Sequence, residues 1–325
     1  MNRHLSAAIL AVVLAIAASP AASFAEDFPA RAVTIIVPQP PGGGTDIISR
    51  IVAQQLSEQL GKPVVVENKP GAGTLVGSEA AAKSAPDGYT LLAGLTANMA
   101  VNPSLFKKLP YDPIRDFTPV GMMAEFPFVL VVSKDFPAKS VKELIAMAKA
   151  KPGSINFASA GNGTGQHLSA ELFKLMANVE MTHVPYRGAA PAYSDVISGR
   201  TPVFFDNLAS ALGQIKGGAV RALGVTGTKR SPLLPDVPTI AEAGVPGYAN
   251  YVWFGLWAPK STPKPVVDKL YAEIRKAVAT PSVKERIMKD AGVPMDTALG
   301  DIEPLEKAEI AKWADVVKRA HIQVQ

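Results

Sequence analysis

The sequence lacks several residues on which enzymes and small secreted domains commonly depend. It contains no cysteine, which excludes disulfide bonds and thiolate chemistry. It has only four histidines in 325 residues, and one of them is His4 near the amino terminus. Because so few side chains remain for general-base catalysis or zinc binding, we expect neither a metal nor an organic cofactor.

No hydrophobic run of the sequence is long enough to cross a membrane. The longest extends from Ala7 to Ala18, well short of the roughly 20 residues that a membrane-spanning helix needs. Arg3 precedes this run, and small residues follow it up to Ala25. This pattern predicts a secretory signal over residues 1–25, cleaved near Ala25, and a mature protein in the bacterial periplasm.

Charge of one sign is not concentrated in any stretch. Charged residues make up 19% of the chain, and the net charge of +5 is spread along it. A nucleic-acid-binding protein would carry a basic patch or stripe, so nucleic acid is not an expected partner. The mild positive balance favours acidic ligands.

The first half of the chain alternates strand-like and helix-like segments, which is typical of an α/β fold with mostly parallel sheets. Apolar runs predict strands over 33–37, 64–67 and 89–95, and apolar residues at helical spacing predict a helix over 46–60. With an alanine-rich helix ending at about Lys83, these segments form a βαβαβ unit. The loops after its strands lie along one sheet edge, where open α/β folds bind ligands.

The second half repeats this pattern, and no segment rich in glycine, serine or proline separates the halves. We therefore predict two lobes joined by strands that cross between them near 126–132 and near 251–258. Such a double crossing makes a hinge, and two hinged lobes across a cleft describe a ligand clamp. The predicted division is 26–127 plus 255–325 for lobe 1 and 128–254 for lobe 2.

A glycine loop follows the first predicted strand and leads directly into a helix. It reads Pro40-Pro-Gly-Gly-Gly-Thr-Asp46. Glycines allow a ligand to approach the backbone, and the free N–H groups of a helix start attract anions. The alternatives are a tight turn needed only for folding, and a capping role for Thr45. In lobe 1 the predicted ligand-binding residues are Pro41, Gly42, Gly43, Gly44, Thr45, Asp46, Gly73, Thr74, Thr96 and Asn98.

A second loop of this kind, Ser159-Ala-Gly-Asn-Gly-Thr-Gly165, lies in the second half. Its hydroxyl, amide and N–H groups are neutral, and many modest hydrogen bonds suit a receptor that must release its cargo. In lobe 2 the predicted ligand-binding residues are Ser159, Gly161, Asn162, Gly163, Thr164, Gly165, His167, Tyr186, Arg187 and Asp206.

Three of these predictions have competing explanations. A carboxylate beside a bound carboxylate is repulsive, so Asp46 is expected to brace its loop unless the ligand carries an ammonium group. Arg187 either pairs with a ligand carboxylate through two parallel bonds or forms an ion pair, for instance with Asp206, or is solvated. His167 either reaches the cleft or has a structural role.

The motifs of common enzyme classes are missing. Phe157-Ala-Ser159-Ala-Gly161 lacks the first glycine of a serine hydrolase elbow. Neither glycine loop has the Gly-x-Gly-x-x-Gly spacing of a dinucleotide site, and the sequence has no Walker lysine and no His-Glu-x-x-His helix. We therefore expect a binding protein and not an enzyme.

Five short motifs occur in an order that resembles one family over essentially the whole mature chain. That family is the Bug-type periplasmic solute-binding receptors of tripartite tricarboxylate transporters. The motifs are Pro40-Pro-Gly-Gly-Gly-Thr-Asp46, Val65-Val-Glu-Asn-Lys-Pro-Gly-Ala-Gly73, Ala85-Pro-Asp-Gly-Tyr89, Val184-Pro-Tyr-Arg-Gly188 and Leu233-Leu-Pro-Asp-Val-Pro-Thr239.

The resemblance implies a two-lobed, type II "Venus flytrap" fold, in which each lobe is a mostly parallel sheet flanked by helices. It implies a monomer that captures a mono-, di- or tricarboxylate, with or without an aromatic ring, and delivers it to membrane permease subunits. It also implies that the lobe 1 loops hold one carboxylate, partly through ordered waters, while loop 159–165 holds the other end. The alternatives are a sensory receptor that signals to a membrane kinase, and a hydrolase of carboxylate esters.

Overall fold

Ten strands form one curled sheet that runs through both halves of the chain in this computed structural model, which describes residues 28–322. The predicted signal segment, 1–25, lies outside the described residues. The strands are β1 (Val33–Val37), β2 (Val64–Asn68), β3 (Thr90–Leu95), β4 (Phe117–Ser133), β5 (Asn156–Ser159), β6 (Thr182–Pro185), β7 (Val203–Asn207), β8 (Val220–Val225), β9 (Tyr251–Pro259) and β10 (Val293–Pro294).

Ten α-helices in the described part of the chain cover the faces of this sheet. They are α1 (Gly44–Leu60), α2 (Leu75–Ala82), α3 (Asn102–Leu105), α4 (Val141–Ala150), α5 (Gly165–Ala177), α6 (Ala189–Ile197), α7 (Leu208–Lys216), α8 (Lys264–Ala279), α9 (Pro281–Lys289) and α10 (Leu299–Arg319). A 3-10 turn at Ala72–Thr74 precedes α2, and a π-helical turn at Ala97–Val101 precedes α3. No helix between residues 28 and 322 combines the length and apolarity needed to span a bilayer.

The outer strands of the sheet are parallel, as the alternation of strands and helices predicts. In the first half β1 lies between β2 and β3, with Val33 opposite Val64 and Thr34 opposite Thr90. In the second half β5 lies between β6 and β7. Since each parallel pair needs a helical crossover, the carboxyl ends of these strands open onto a common edge in each half.

The two halves meet at β4 and β9, which run antiparallel to their neighbours. β4 pairs with β9 from Phe117 to Pro127, and from Phe128 onward it pairs with β7 and with β8. The chain therefore passes from one half of the sheet to the other at Pro127–Phe128, within a single 17-residue strand.

The return crossing lies just before β9 and is hydrogen-bonded to the first. Thr226 donates its backbone N–H to Phe128 O (2.9 Å), and Asn250 donates its own to Thr226 O (3.0 Å). The Thr226 side chain adds a bond to Asn250 O (2.6 Å) and accepts the N–H of Phe128 (2.7 Å). The bonds among Phe128, Thr226 and Asn250 therefore connect the two crossings. After the return crossing, β9 pairs with β3 and with the first part of β4.

Candidate functional site

A cavity of about 820 Å³ lies between the two halves of the sheet. Its wall comes mainly from the loops that follow β1, β2, β3, β5 and β7 and from the two crossing segments. Asp290, which is exposed, is the one charged residue among the described residues that line it. The polar lining is otherwise neutral and consists of Gln39, Thr45, Thr74, Thr96, Asn102, Asn162, Thr164, Gln166, Asn207, Ser210, Asn250 and Tyr251.

Four helix starts open into this cavity. Two belong to the first half (α1 and α2) and two to the second (α5 and α7). Among these four helices of the described chain, no side chain caps the start of α1, α2 or α7, whereas α5 has a cap in which Thr164 accepts the His167 N–H. Free backbone N–H groups at a helix start carry a partial positive charge. The cavity therefore offers anion-binding groups in both halves without a lysine or arginine in its lining.

Asp46 braces the first glycine loop from behind. Its buried carboxylate accepts the N–H of Gly42 (2.9 Å), Arg50 Nε (3.0 Å) and Asn68 Nδ2 (2.9 Å). Burial alone would raise its pKa, but the hydrogen bonds from Arg50, Gly42 and Asn68 lower the pKa of Asp46 to about 2. The carboxylate points into this network and away from the cavity lining, while Thr45 next to it lines the cavity.

Asn102 lines the cavity and holds the second lobe 1 turn. Its side-chain amide donates to Gly73 O and to Thr74 Oγ1, both at 3.0 Å. The predicted ligand residue Asn98 lies one turn earlier and is fully buried. Asn98 accepts the Leu95 N–H and donates to Ser78, so its polar atoms are occupied inside the lobe.

The second glycine loop is held by side chains behind it. Ser159 is fully buried and shares a 2.6 Å hydrogen bond with His183 Nε2, and Thr164 donates to Gly161 O (2.7 Å). His167 Nδ1 accepts the N–H of Gly163 (3.1 Å). Burial and the neighbouring charges lower the pKa of His167 to about 3, so this imidazole is neutral and can accept.

Three predicted lobe 2 residues, Tyr186, Arg187 and Asp206, lie outside the cavity lining. Tyr186 donates its hydroxyl to Asp195 Oδ2 (2.7 Å). Arg187 is exposed, and no acidic side chain of the described residues forms an ion pair with it. Asp206 is fully buried and accepts Gln166 Nε2 (3.3 Å), and burial raises its pKa above the usual range. An Arg187–Asp206 ion pair, one of the sequence alternatives, is therefore not formed.

The cavity lining brings together nine of the predicted residues: Gly44, Thr45, Gly73, Thr74, Thr96, Asn162, Gly163, Thr164 and Gly165. It does not include Pro41, Gly42, Gly43, Asp46, Asn98, Ser159, Gly161, His167, Tyr186, Arg187 or Asp206. Ligand contact by either group stays a prediction.

Sequence reasoning overlooked several polar residues of the lining. Gln39 is the second residue after β1, Gln166 is the second residue of α5, and Asn207 is the residue before α7. Their positions at strand ends and helix starts were the available signal. The phenylalanines of the wall, such as Phe254, gave no comparable signal because any buried strand carries such residues.

The family model described as "Tripartite tricarboxylate transporter family receptor" matches residues 48–322. The chain belongs to this receptor family. The predicted family resemblance is thereby confirmed. This receptor is 37% identical to Protein BugT of Bordetella pertussis over 98% of each chain.

Solved structures of the family have the same fold as this receptor. One is R. palustris Rpa4515 with adipate, which is 38% identical with a TM-score of 0.77 and matches 91% of this chain and 99% of its own. Another is MatC (Rpa3494) from Rhodopseudomonas palustris with bound malate, at 35% identity and a TM-score of 0.73 over 89% and 100%. These matches confirm the predicted two-lobed α/β fold of a periplasmic solute-binding protein.

Proposed function

We propose that this receptor binds a small organic carboxylate in the cavity between its lobes and delivers it to the membrane subunits of a tripartite tricarboxylate transporter. The observation that carries the proposal is the set of four helix starts that open into one cavity from both halves of the sheet. Two relatives of known structure hold dicarboxylates, adipate and malate. An acid that binds the closed form of the receptor more tightly than the open form would shift the population towards the closed form.

The neutral lining fits capture followed by release. Hydrogen bonds from N–H, hydroxyl and amide groups contribute about 1 kcal/mol each. Removing one partner of a buried ion pair, by contrast, is strongly destabilising, because the other charge is left buried without a partner. A receptor that binds through many modest bonds can therefore hold an anion tightly and still release it to a permease when the lobes open.

The ligand contacts proposed for lobe 1 are the N–H groups of Gly44 and Thr45 and the side chains of Gln39, Thr96 and Asn102. In lobe 2 they are the N–H group of Gly165 and the side chains of Gln166 and Asn207. All of these residues line the cavity. The predicted ligand-binding residues that do not line the cavity, such as Asp46 and His167, would act by holding the loops in place.

The burial of the Ser159–His183 pair supports a receptor over a hydrolase. A hydroxyl 2.6 Å from an imidazole nitrogen has the spacing of a nucleophile and its base. However, Ser159 is fully buried, does not line the cavity, and also bonds to the backbone of Gly161. Its oxygen has no path to a carbonyl carbon, so we propose that the protein is not an enzyme.

The remaining parts of the proposal concern processing and assembly. We propose that the signal segment is cleaved near Ala25, that the mature receptor works in the periplasm as a monomer with the lobe boundaries given above, and that it needs no cofactor. Uptake of a labelled acid by cells with and without the gene for this chain tests delivery. Loss of uptake is expected when the receptor is absent.

Binding is tested by thermal unfolding and calorimetry of residues 26–325 with adipate, malate, citrate and benzoate. A bound acid at 100 times its dissociation constant should stabilise the protein by about 2.7 kcal/mol. If no acid shifts the unfolding midpoint while a chromogenic ester is hydrolysed, the hydrolase alternative is right. Ligand-dependent binding to a membrane kinase, without any effect on uptake, would support the sensory alternative.

A matched pair of variants locates the site. Asn207→Asp places a carboxylate at the start of α7 in the cavity, where it should repel a bound acid and weaken binding at least tenfold. Because an acidic residue is favourable at a helix start, the variant should remain folded. Asn156→Asp makes the same change at a half-buried position of β5 outside the lining, and it should leave affinity unchanged.

A further inference from the structure

Phenylalanine rings stand beside the helix starts that open into the cavity. A methyl group added at Gly44 would lie 3.7 Å from Phe254 Cζ, and one added at Gly73 would lie 3.2 Å from Phe106 Cζ. Both rings line the cavity together with Phe126, which meets Phe254 edge to face at 5.5 Å. The groups that attract an anion are thus followed immediately by apolar wall.

The second lobe has the same arrangement. A methyl group at Gly165 would lie 2.5 Å from Phe128 Cζ, and one at Gly163 would lie 3.0 Å from Leu105 Cδ1. Phe128 also lies opposite Asn207 in the β4–β7 pair, so this residue is close to the starts of both α5 and α7. Leu105 comes from the first half of the chain, so apolar contacts close the wall between the lobes.

The space between the helix starts is large and mostly apolar. About 820 Å³ is far more than a four-carbon acid occupies, and such an acid would leave much of the wall in contact with water. Each methylene of a ligand that covers this wall should raise affinity about fourfold. Each ligand hydroxyl buried against it without a partner should lower affinity fivefold or more.

We propose that the cargo of this receptor is a carboxylate of roughly six or more carbon atoms in total, in which everything but the acid groups is hydrocarbon, and that hydroxylated acids of the same length are rejected. This inference rests on the proposed function, because it names the class of acid held at the same site. It concerns the body of the ligand and leaves the carboxylate contacts as proposed above.

A homologous series of acids tests the inference by calorimetry. From succinate through glutarate to adipate, affinity should rise about fourfold per added methylene, or about fifteenfold over the two steps. Galactarate has the carbon chain of adipate with four added hydroxyls and should bind at least 100-fold more weakly than adipate. A flat series, or galactarate or malate binding more tightly than adipate, overturns the inference while the receptor function stands. If no carboxylate binds at all, the proposed function itself fails.

Two substitutions of a wall phenylalanine test whether this surface is responsible. Phe106→Ser should reduce the gain per methylene to less than twofold, because the half-buried ring next to Gly73 is replaced by a hydroxyl. Phe106→Leu keeps an apolar surface and should retain the fourfold gain, which provides a folded comparison. Phe136→Ser is the matched control, since Phe136 is half-buried in lobe 2 and outside the lining. An unchanged gain in both Phe106 variants would contradict the assignment of this wall.

Discussion

The imidazole rings of His167 and His183 are stacked, with centroids 3.8 Å apart and planes inclined by 11°. Phe157 stacks on His183 at 4.9 Å and continues the column. Each histidine bonds to the second glycine loop, His167 to Gly163 N–H and His183 to the Ser159 hydroxyl. The loop that opens into the cavity therefore rests on two aromatic rings, and Nδ1 of His167 must be uncharged to accept the Gly163 N–H.

Both histidines are held neutral in the folded protein. For His167, burial, His183 and Lys174 lower the pKa to about 3. For His183, burial and Lys174 lower the pKa to about 4. Glu171, which lies 3.8 Å from His167 Nε2, is itself bonded to Lys174 at 2.9 Å and does not offset this effect.

The first prediction is that the histidine pair makes the protein sensitive to acid. The unfolded chain takes up protons near pH 6.5, whereas the folded protein does not until about pH 4, so stability is lost as pH falls across that range. His183→Phe keeps a stacking ring and removes this titration. The free energy of unfolding in urea should fall less steeply between pH 6.5 and 4 in the variant than in the wild type.

The control for this experiment is His321→Phe, which removes an exposed histidine after α10 and should keep the wild-type pH dependence. Equal slopes for wild type and His183→Phe would show that the stacked pair does not govern acid sensitivity.

Much of the fold could be predicted because its signals are local and periodic. The Val33–Val37 run and the apolar stripe of α1 each satisfy one period over a whole element, so the outer parallel strands were predictable. The antiparallel pairing of β4 with β7, β8 and β9 was less accessible. It depends on contacts such as Phe128–Thr226, almost a hundred residues apart, and no local pattern specifies a partner at that distance.

The candidate site divides in a similar way. Glycine loops before helices locate backbone N–H groups, so Gly44, Gly73 and Gly165 could be identified from order alone. Side-chain direction could not. Asp46 and His167 each lie directly next to lining residues in the sequence, but their polar atoms bond to the loops and brace them. Which way a side chain points depends on the partners that packing supplies, here Arg50 and His183.

The second prediction concerns Glu306, a buried carboxyl behind the crossing strands. Its Oε2 accepts Trp257 Nε1 (3.2 Å), and its Oε1 has no partner among the described residues. Burial, with nearby Glu303 and Asp112, raises the pKa of Glu306 to about 8. The folded protein thus holds a proton that the unfolded chain releases near pH 4.5, and stability should fall as pH rises from about 4.5 to 8.

Glu306→Gln keeps an acceptor for Trp257 and cannot ionise. Its free energy of unfolding should therefore decline less than that of the wild type between pH 5 and 8, by up to about 1.4 kcal/mol per pH unit. Denaturant unfolding at several pH values measures the difference. Glu285→Gln, at an exposed position of α9, should follow the wild-type curve. If the variant instead loses the same amount of stability at every pH, the effect comes from packing and the ionisation of Glu306 does not contribute.

The third prediction is that the brace at Asp46 supports both stability and binding. In Asp46→Asn the amide cannot accept from Arg50, Gly42 and Asn68 together, so stability at pH 7 should fall by about 1–2 kcal/mol. Arg50 is about half exposed, and solvent screening limits its share of that loss. Cargo affinity should fall several-fold because the Gly42–Gly44 turn is no longer held.

The Asp46 variant has a matched control in Asp268→Asn, which breaks another helical pair at the same spacing, Lys264–Asp268. That pair is exposed and remote from the cavity, so its loss should change stability by less than about 0.5 kcal/mol and leave affinity intact. The pH profile adds a second readout. Stability from Asp46 is present above about pH 4 and should be lost as pH falls towards 2.

The fourth prediction concerns Arg187, whose contact with a ligand carboxylate was expected from its motif. In this structure its side chain is exposed, but its backbone neighbours are bonded to the second glycine loop: Tyr186 N–H to Ser159 O (3.0 Å) and Gly188 N–H to Ala160 O (3.2 Å). Any movement of that loop on lobe closure therefore carries Arg187 with it.

If the guanidinium then pairs with cargo, Arg187→Lys should weaken binding at least tenfold, because lysine cannot form two parallel bonds to a carboxylate. Arg200→Lys, an exposed arginine of the same lobe paired with Asp195, provides the control and should bind normally. Calorimetry with the tightest acid of the panel decides the matter, and equal affinities for the wild type and Arg187→Lys would remove Arg187 from the site.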